Sequence, residues 1–223
     1  VNVTLGIDCA SGHTGIGLVR EGRLLGELNL DLGRSQAGAL ASAVGFLLSL
    51  SSLSLQDLER IAVTTGPGYY TGLRIGVSYA CALAEGLGVP VTPVPTLLAM
   101  VAGHGVPGSL LCPILHARAG WVYSALYGFH DGPGLPLVEM EPKFISVENL
   151  FLSLQNRGGV LLVGEDAARY PLLSEMPRRV PGAGRATGAS TALLGSSEAL
   201  ERLDPSEVRV CYLREPDVGN SRS

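Results

Sequence analysis

Charge is scarce in this 223-residue chain: 16% of its residues are charged, against about 25% in ordinary globular proteins. Much of the surface must be covered by something else. The net charge of -4 argues against a free-standing nucleic-acid binder, although basic residues can still gather locally. No apolar run is long enough to span a bilayer, because serines, prolines and glycines interrupt every candidate. The first residues read as a strand, so no signal or transit peptide is expected and the chain is placed in the cytoplasm. Cys9, Cys81, Cys112 and Cys211 form no C-x-x-C pair and read as small core residues of a reducing compartment. His13, His104, His116 and His130 show no H-x-x-x-H or H-E-x-x-H spacing, so no metal site built from local ligands is expected.

Apolar material is abundant instead, at 46% of residues, enough for one large domain or two small ones. It is organised around Thr64-Thr65-Gly66-Pro67-Gly68-Tyr69-Tyr70-Thr71-Gly72-Leu73-Arg74. A β-branched run from Ile61 to Thr64 enters this stretch and reads as a buried strand. An apolar helix pattern from Leu73 to Leu87 leaves it. Glycine permits positive φ and close backbone approach, and Thr71 stands where an N-cap is expected. A strand, a Gly-rich turn and a helix N-terminus can hold an anion; they make an equally good tight connection. The missing Gly-Lys-[Ser/Thr] excludes a P-loop, and the glycine spacing does not fit G-x-G-x-x-G. Gly66, Gly68 and Thr71 are the candidate cofactor contacts, together with Asp8 at the end of the first strand. The competing reading of Asp8 is a carboxylate hydrogen-bonded into its own turn.

In chain order, strands are expected over 3–8, 14–20 and 24–30, the last two joined at Glu21-Gly22. A helix follows from Gln36 to Leu50 with Ser35 as its cap. After the central strand and helix, 89–94 is a proline-broken edge strand and Thr96 caps a short helix to Val101. The first half reads βββαβαβα. Gly103 to Ser109 marks a boundary, giving segments 1–103 and 104–223. Beyond it, strands at 110–116, 121–129 and 138–145, a helix capped by Ser146 and a strand at 160–163 repeat the opening βββαβ. Pro171 to Gly188 reads as loop, Ser190 to Ala199 as a last helix, and Glu207 to Leu213 as extended. A mixed sheet with helices on its faces, duplicated and degenerate in its second copy, is the α/β class implied.

Leu5-Gly6-Ile7-Asp8, Gly66-Pro67-Gly68-Tyr69-Tyr70-Thr71-Gly72-Leu73-Arg74-Ile75-Gly76, Val94-Pro95-Thr96-Leu97, Ala117-Arg118-Ala119-Gly120-Trp121-Val122-Tyr123 and Val210-Cys211-Tyr212-Leu213-Arg214 together resemble the bacterial TsaB (YeaZ) family. The resemblance implies an ASKHA fold, the duplicated actin/hexokinase/Hsp70 architecture. It also implies a role in making threonylcarbamoyladenosine beside the anticodon of tRNA. It implies a non-catalytic scaffold that binds the catalytic TsaD subunit, with a TsaE-like ATPase completing the assembly and tRNA reached within it. No catalytic residue is assigned to this chain, and ATP and metal are expected on the partner subunits. Two departures stand out: Arg34-Ser35-Gln36 replaces a His-Ser-Glu-like start of the first helix, and His116-Ala117-Arg118 replaces Asp-Ala-Arg. The alternative is an ATP-dependent kinase or hydrolase of the same fold with its own cleft.

The candidate partner surface lies on the two helices of the first half. From Ser35 to Gln56 there is no charged residue, whereas an exposed helix normally carries charge outside. Leu40, Val44, Leu47 and Leu48 make a stripe suited to the protein's own sheet. Gly38, Ser42, Gly45 and Ser49 make a second stripe that a foreign helix could approach. On the next helix, Leu73, Val77, Ala80 and Ala84 share one face, with Ile75, Tyr79 and Ala82 opposite. The four residues of the small stripe and Leu73, Val77, Ala80 and Ala84 are the expected interface, used by the partner or by a second copy when the chain is alone. The competing expectation is that both helices are buried within the chain.

Overall fold

The structure, a computed structural model, describes residues 2–132, 134–174, 176 and 184–214. Strands β1 (Val3–Asp8), β2 (His13–Arg20), β3 (Arg23–Asp31), β4 (Leu58–Gly66) and β5 (Val91–Pro95) form one sheet in the order β3-β2-β1-β4-β5. The β1–β2–β3 meander is antiparallel, and β4 and β5 add in parallel. Burial follows position. Central β1 is buried at every residue, while edge strand β3 is exposed or half-buried along its length. Prolines 93 and 95 fall on the opposite edge strand, β5, where a missing donor is tolerated.

Helices α1 (Gln36–Leu50) and α2 (Tyr70–Leu87) cover one face of this sheet, burying Leu40, Val44, Leu47 and Leu48 against Leu5, Ile7, Ile16 and Leu18. A short helix α3 (Thr96–Val101) then leads to β6 (Leu110–Arg118), β7 (Trp121–Gly128), β8 (Leu137–Ser146), helix α4 (Val147–Leu154) and β9 (Val160–Val163). The second sheet runs β8-β7-β6-β9. Its strands take the same places by chain order as β3-β2-β1-β4, so the expected βββαβ unit occurs twice. Helices α4 and α5 (Pro171–Ser174) close the outer side of the second sheet around Ile114, Val122 and Leu126.

The last helix, α6 (Gly188–Ser196), follows the second sheet in the chain but lies on the first, across β1, β2 and β4. Helix α3 lies between the two sheets, against β4 and β5 of the first and β6 and β7 of the second. The α6 contact is made backbone to backbone. A Cβ on Gly188 would overlap the main chain of Ile16 and Gly17, and one on Gly6 would overlap Ala192. Arg60 is 3% exposed, and its guanidinium donates to the Gly195 carbonyl (2.7 Å) at the helix C-terminus, where a cation meets the negative end of the dipole.

Four expected details differ. Ser35 precedes α1 without a side-chain cap bond, because a 3-10 turn over Gly33–Ser35 leads into the helix. Thr71 is inside α2, since the Tyr69 carbonyl already accepts the first helical bond from Leu73 N (3.0 Å). Thr96 is likewise inside α3, behind Pro95. The 207–213 segment forms no strand; Cys211 N donates to Thr65 O (2.7 Å) and pins it beside the glycine turn. Ser146 does cap α4, accepting from Asn149 N (3.2 Å). Of the expected 171–188 loop, Pro171–Ser174 is helical, and 177–183 lie outside the described residues.

Gly188→Val tests the backbone contact. No rotamer change relieves a Cβ placed against main chain, so a loss of about 1–3 kcal/mol is expected, read as a fall of several degrees in the thermal midpoint. Gly86→Val, where a Cβ meets open space, is the control and should leave the midpoint unchanged or slightly raised, since valine has the better helix propensity.

Candidate functional site

The central glycine turn folds onto the protein itself. A Cβ on Gly68 would overlap the Ala10 carbonyl, one on Gly72 the Cys9 carbonyl, and one on Gly66 the Cys211 carbonyl. Gly66 also has φ of 125°, a region L side chains rarely enter. Tyr69 N donates to Ala10 O (2.8 Å), so one donor of the turn is already taken. The glycines therefore let three stretches of main chain meet. Thr71, the remaining candidate of the turn, is exposed on the first turn of α2.

Asp8 lies beneath this contact and is 1% exposed. Its Oδ1 accepts from Thr64 Oγ1 (2.7 Å) and Ala10 N (3.2 Å). Burial pushes its carboxyl from 3.8 up to about 6; the bonds from Thr64 and Ala10 and the charge of Arg185 oppose that rise and do not cancel it. The geometry is the hydrogen-bonded turn carboxylate weighed above. Gln36, 4% exposed, braces the same turn by donating from Nε2 to the carbonyls of Ser11 (3.0 Å) and His13 (2.8 Å). An ionised glutamate there would only accept and would make neither bond. Sequence reasoning marked Gln36 as a departure and missed this role.

The other departure is also tied down. His116 N donates to Asp166 Oδ2 (2.8 Å), and its Nδ1 lies 2.6 Å from the Tyr170 hydroxyl. The same hydroxyl lies 3.2 Å from the Trp121 carbonyl, so His116, Tyr170 and Trp121 are linked through it. His13 Nε2 sits 3.6 Å from Asp31 Oδ2. Arg74 donates to the Tyr212 hydroxyl (3.2 Å) and lies 4.0 Å above the Tyr70 ring, which stacks on Tyr212 at 5.0 Å. Among the described residues, no group of three or more His, Cys, Asp or Glu is placed to hold a metal ion, and no helix is long and apolar enough to cross a membrane. A cavity of about 650 Å³ lies between α3 and α6, lined among others by Ala99, Leu135, Leu193 and Leu194, with Arg185, whose charge acts on Asp8, at its wall.

The helix faces divide unevenly. Gly38, Ser42, Gly45 and Ser49 of α1 are all exposed, and a Cβ on Gly38 or Gly45 meets open space. Beside them stand Phe46, 56% exposed, and Leu50, 66% exposed. Both were missed, although each is one position from a member of the small stripe. On α2 the expected interface face is the inner one: Leu73, Val77, Ala80 and Ala84 are buried, the last three in the core that α1 and α2 share with the first sheet. The outer face of α2 carries Ser78 and Ala82, exposed, with Ile75 and Tyr79 half-buried. Apolar residues on both sides of α2 left its orientation open to sequence; the sheet takes the side with the smallest residues at the crossing.

Two copies of one sheet unit, with a helix exchanged between them, define the ASKHA fold. At 13% identity it is shared by the (R)-2-hydroxyglutaryl-CoA dehydratase component A of Acidaminococcus fermentans, at a TM-score of 0.53 over 89% of this chain and 99% of that one. A crystal structure from Pseudomonas aeruginosa, of a protein with similarity to peptidase YEAZ, matches more fully: TM-score 0.80, 22% identity, 96% of this chain and 100% of that one. A family model described as TsaD: tRNA N6-adenosine threonylcarbamoyltransferase matches residues 33–162. The tRNA threonylcarbamoyladenosine biosynthesis protein TsaB of Bacillus subtilis is 33% identical over 171 residues, spanning 77% of this chain and 74% of that protein. The chain belongs to the TsaB (YeaZ) family.

The raised carboxyl of Asp8 has a consequence for stability. In the unfolded chain it ionises near its ordinary value; in the fold it holds its proton to about pH 6. The native state thus binds more protons between those values, and stability from this group is complete below about pH 4 and lost as pH rises through about 6. Asp8→Asn, neutral throughout, should gain about 2–3 kcal/mol relative to the parent between pH 4 and pH 7.5. Urea unfolding at the two pH values measures it; a pH-independent difference would mean that Asp8 is ionised in the fold.

Proposed function

We propose that this chain is a non-catalytic subunit of the machinery that makes threonylcarbamoyladenosine in tRNA, acting in the cytoplasm by binding a TsaD-like catalytic paralogue through the outer face of α1. The observation that carries the reading is a helix with no charge from Ser35 to Gln56 whose solvent side shows Phe46 and Leu50 beside four small residues. Exposed large apolar side chains grouped on one face mark interaction sites. Small neighbours let a second helix come close. The printed role of the Bacillus subtilis relative, threonylcarbamoyladenosine biosynthesis, supplies the process. In this reading ATP and metal sit on partner subunits, a TsaE-like ATPase joins the assembly, tRNA is reached within it, and the same face pairs two copies when the partner is absent.

An ATP-dependent kinase or hydrolase with its own cleft has less support. The one acid at the expected place, Asp8, is buried and committed to Thr64 and Ala10, and the glycine turn is filled by its own main chain.

Gly45→Arg and Phe46→Glu test the face. Both positions are exposed and Gly45 has open space around it, so circular dichroism and the thermal midpoint should stay at parental values. Pull-down of the TsaD-like subunit should fall by tenfold or more, because a charge buried unpaired at a contact is costly. Wild-type binding by both folded variants removes α1 from the interface.

A further inference from the structure

A second surface, on the other sheet, has no part in that contact. Gly120, at φ of 73°, turns the chain between β6 and β7 so that Arg118 pairs with Trp121. Trp121 and Tyr123 alternate along β7 and share one side of the sheet, and Phe144 of β8 is in register with Tyr123. The Trp121 and Phe144 rings stack at 4.6 Å with 15° between planes, and Tyr123 meets Phe144 at 5.7 Å. Two guanidinium groups lie over these rings. Arg118 is 5.3 Å from the Trp121 ring and 5.4 Å from that of Phe144; Arg214, from the far end of the described chain, is 5.7 Å from Phe144. Arg118 is exposed and makes no ion pair among the described residues. In a chain with 5% aromatic residues and one tryptophan, this is a marked concentration.

We propose that this platform binds a single-stranded segment of RNA, one unpaired base stacking on the Trp121–Phe144 surface and the Arg118 and Arg214 guanidinium groups taking the flanking phosphates. Rings held in a stack lose little freedom when a base joins them, and every base offers a π face. A guanidinium already positioned over those rings presents a fixed fork that matches phosphate. RNA is recognised mainly through unstacked bases laid on aromatic and Arg planes. An acidic peptide would meet the cations and leave the ring faces unused. The inference deepens the tRNA reading and rests on it for the choice of polymer.

Trp121 is the only tryptophan, so its fluorescence reports the platform directly. Titration of the full chain with the oligonucleotide rA12 at low salt should give saturable quenching, with log K falling against log salt at a slope of about -1.4 for two phosphates. By anisotropy of labelled rA12, Arg118→Ala and Trp121→Ala should each weaken binding by about tenfold or more. Trp121→Phe, which keeps a stackable ring, should retain most of it and guards against a folding artefact. An RNA duplex of equal length should bind more weakly. The proposal is overturned by absent or non-saturating quenching, by unchanged binding in folded Arg118→Ala, by equal binding of the duplex, or by a poly-glutamate peptide competing at similar concentration. Pull-down of the TsaD-like subunit by Arg118→Ala is read alongside: the α1 interface and the platform share no residue, so each can fail without the other.

Discussion

Main chain laid directly on main chain, where α6 crosses β1 and β2, is the contact on which the rest of this fold depends. Gly15 and Gly17 on the sheet and Gly188 on the helix leave no side chain between the two. The helix belongs in sequence to the second half and the sheet to the first, so this approach joins the repeats. Arg60 closes the far end of α6 through the Gly195 carbonyl, and α3 is packed between the two sheets. The crossing of α6 and the position of α3 between the sheets couple the halves more firmly than a loop between two independent sheets would.

The same economy of side chains shapes the central turn. Gly66, Gly68 and Gly72 bring the chain around Thr65, the turn after β1 and the segment near Cys211 into one packed junction. The carbonyl groups of Cys9, Ala10 and Cys211 stand where Cβ atoms on these glycines would be.

Most of the strand and helix pattern was legible in sequence because it rests on local periodicity. The α1 bounds, Gln36–Leu50, are those the periodicity predicts, and the repeated βββαβ order followed from the same signal. What escaped depends on contacts made across the chain. The start of α2 is set by the bond from Tyr69 to Ala10, so Thr71 lost the role its residue type suggested. The inward face of α2 is chosen by the sheet, so Leu73, Val77, Ala80 and Ala84 went to the core. The bracing bonds of Gln36 run to carbonyls beyond local reach. The aromatic platform joins Trp121, Phe144 and Arg214 only through strand register and the return of the C-terminal segment.

In the proposed reading, the charge-free outer side of α1 also bears on how a partner arrives. Without fixed charges of its own the face adds no local complementarity to the field of the whole molecule, so charge contributes little to the recognition made at contact. Ionic strength then has little purchase on that step, and selection falls to shape: a groove of glycine and serine bordered by Phe46 and Leu50 rejects a wrong helix by collision of side chains, after contact rather than before it.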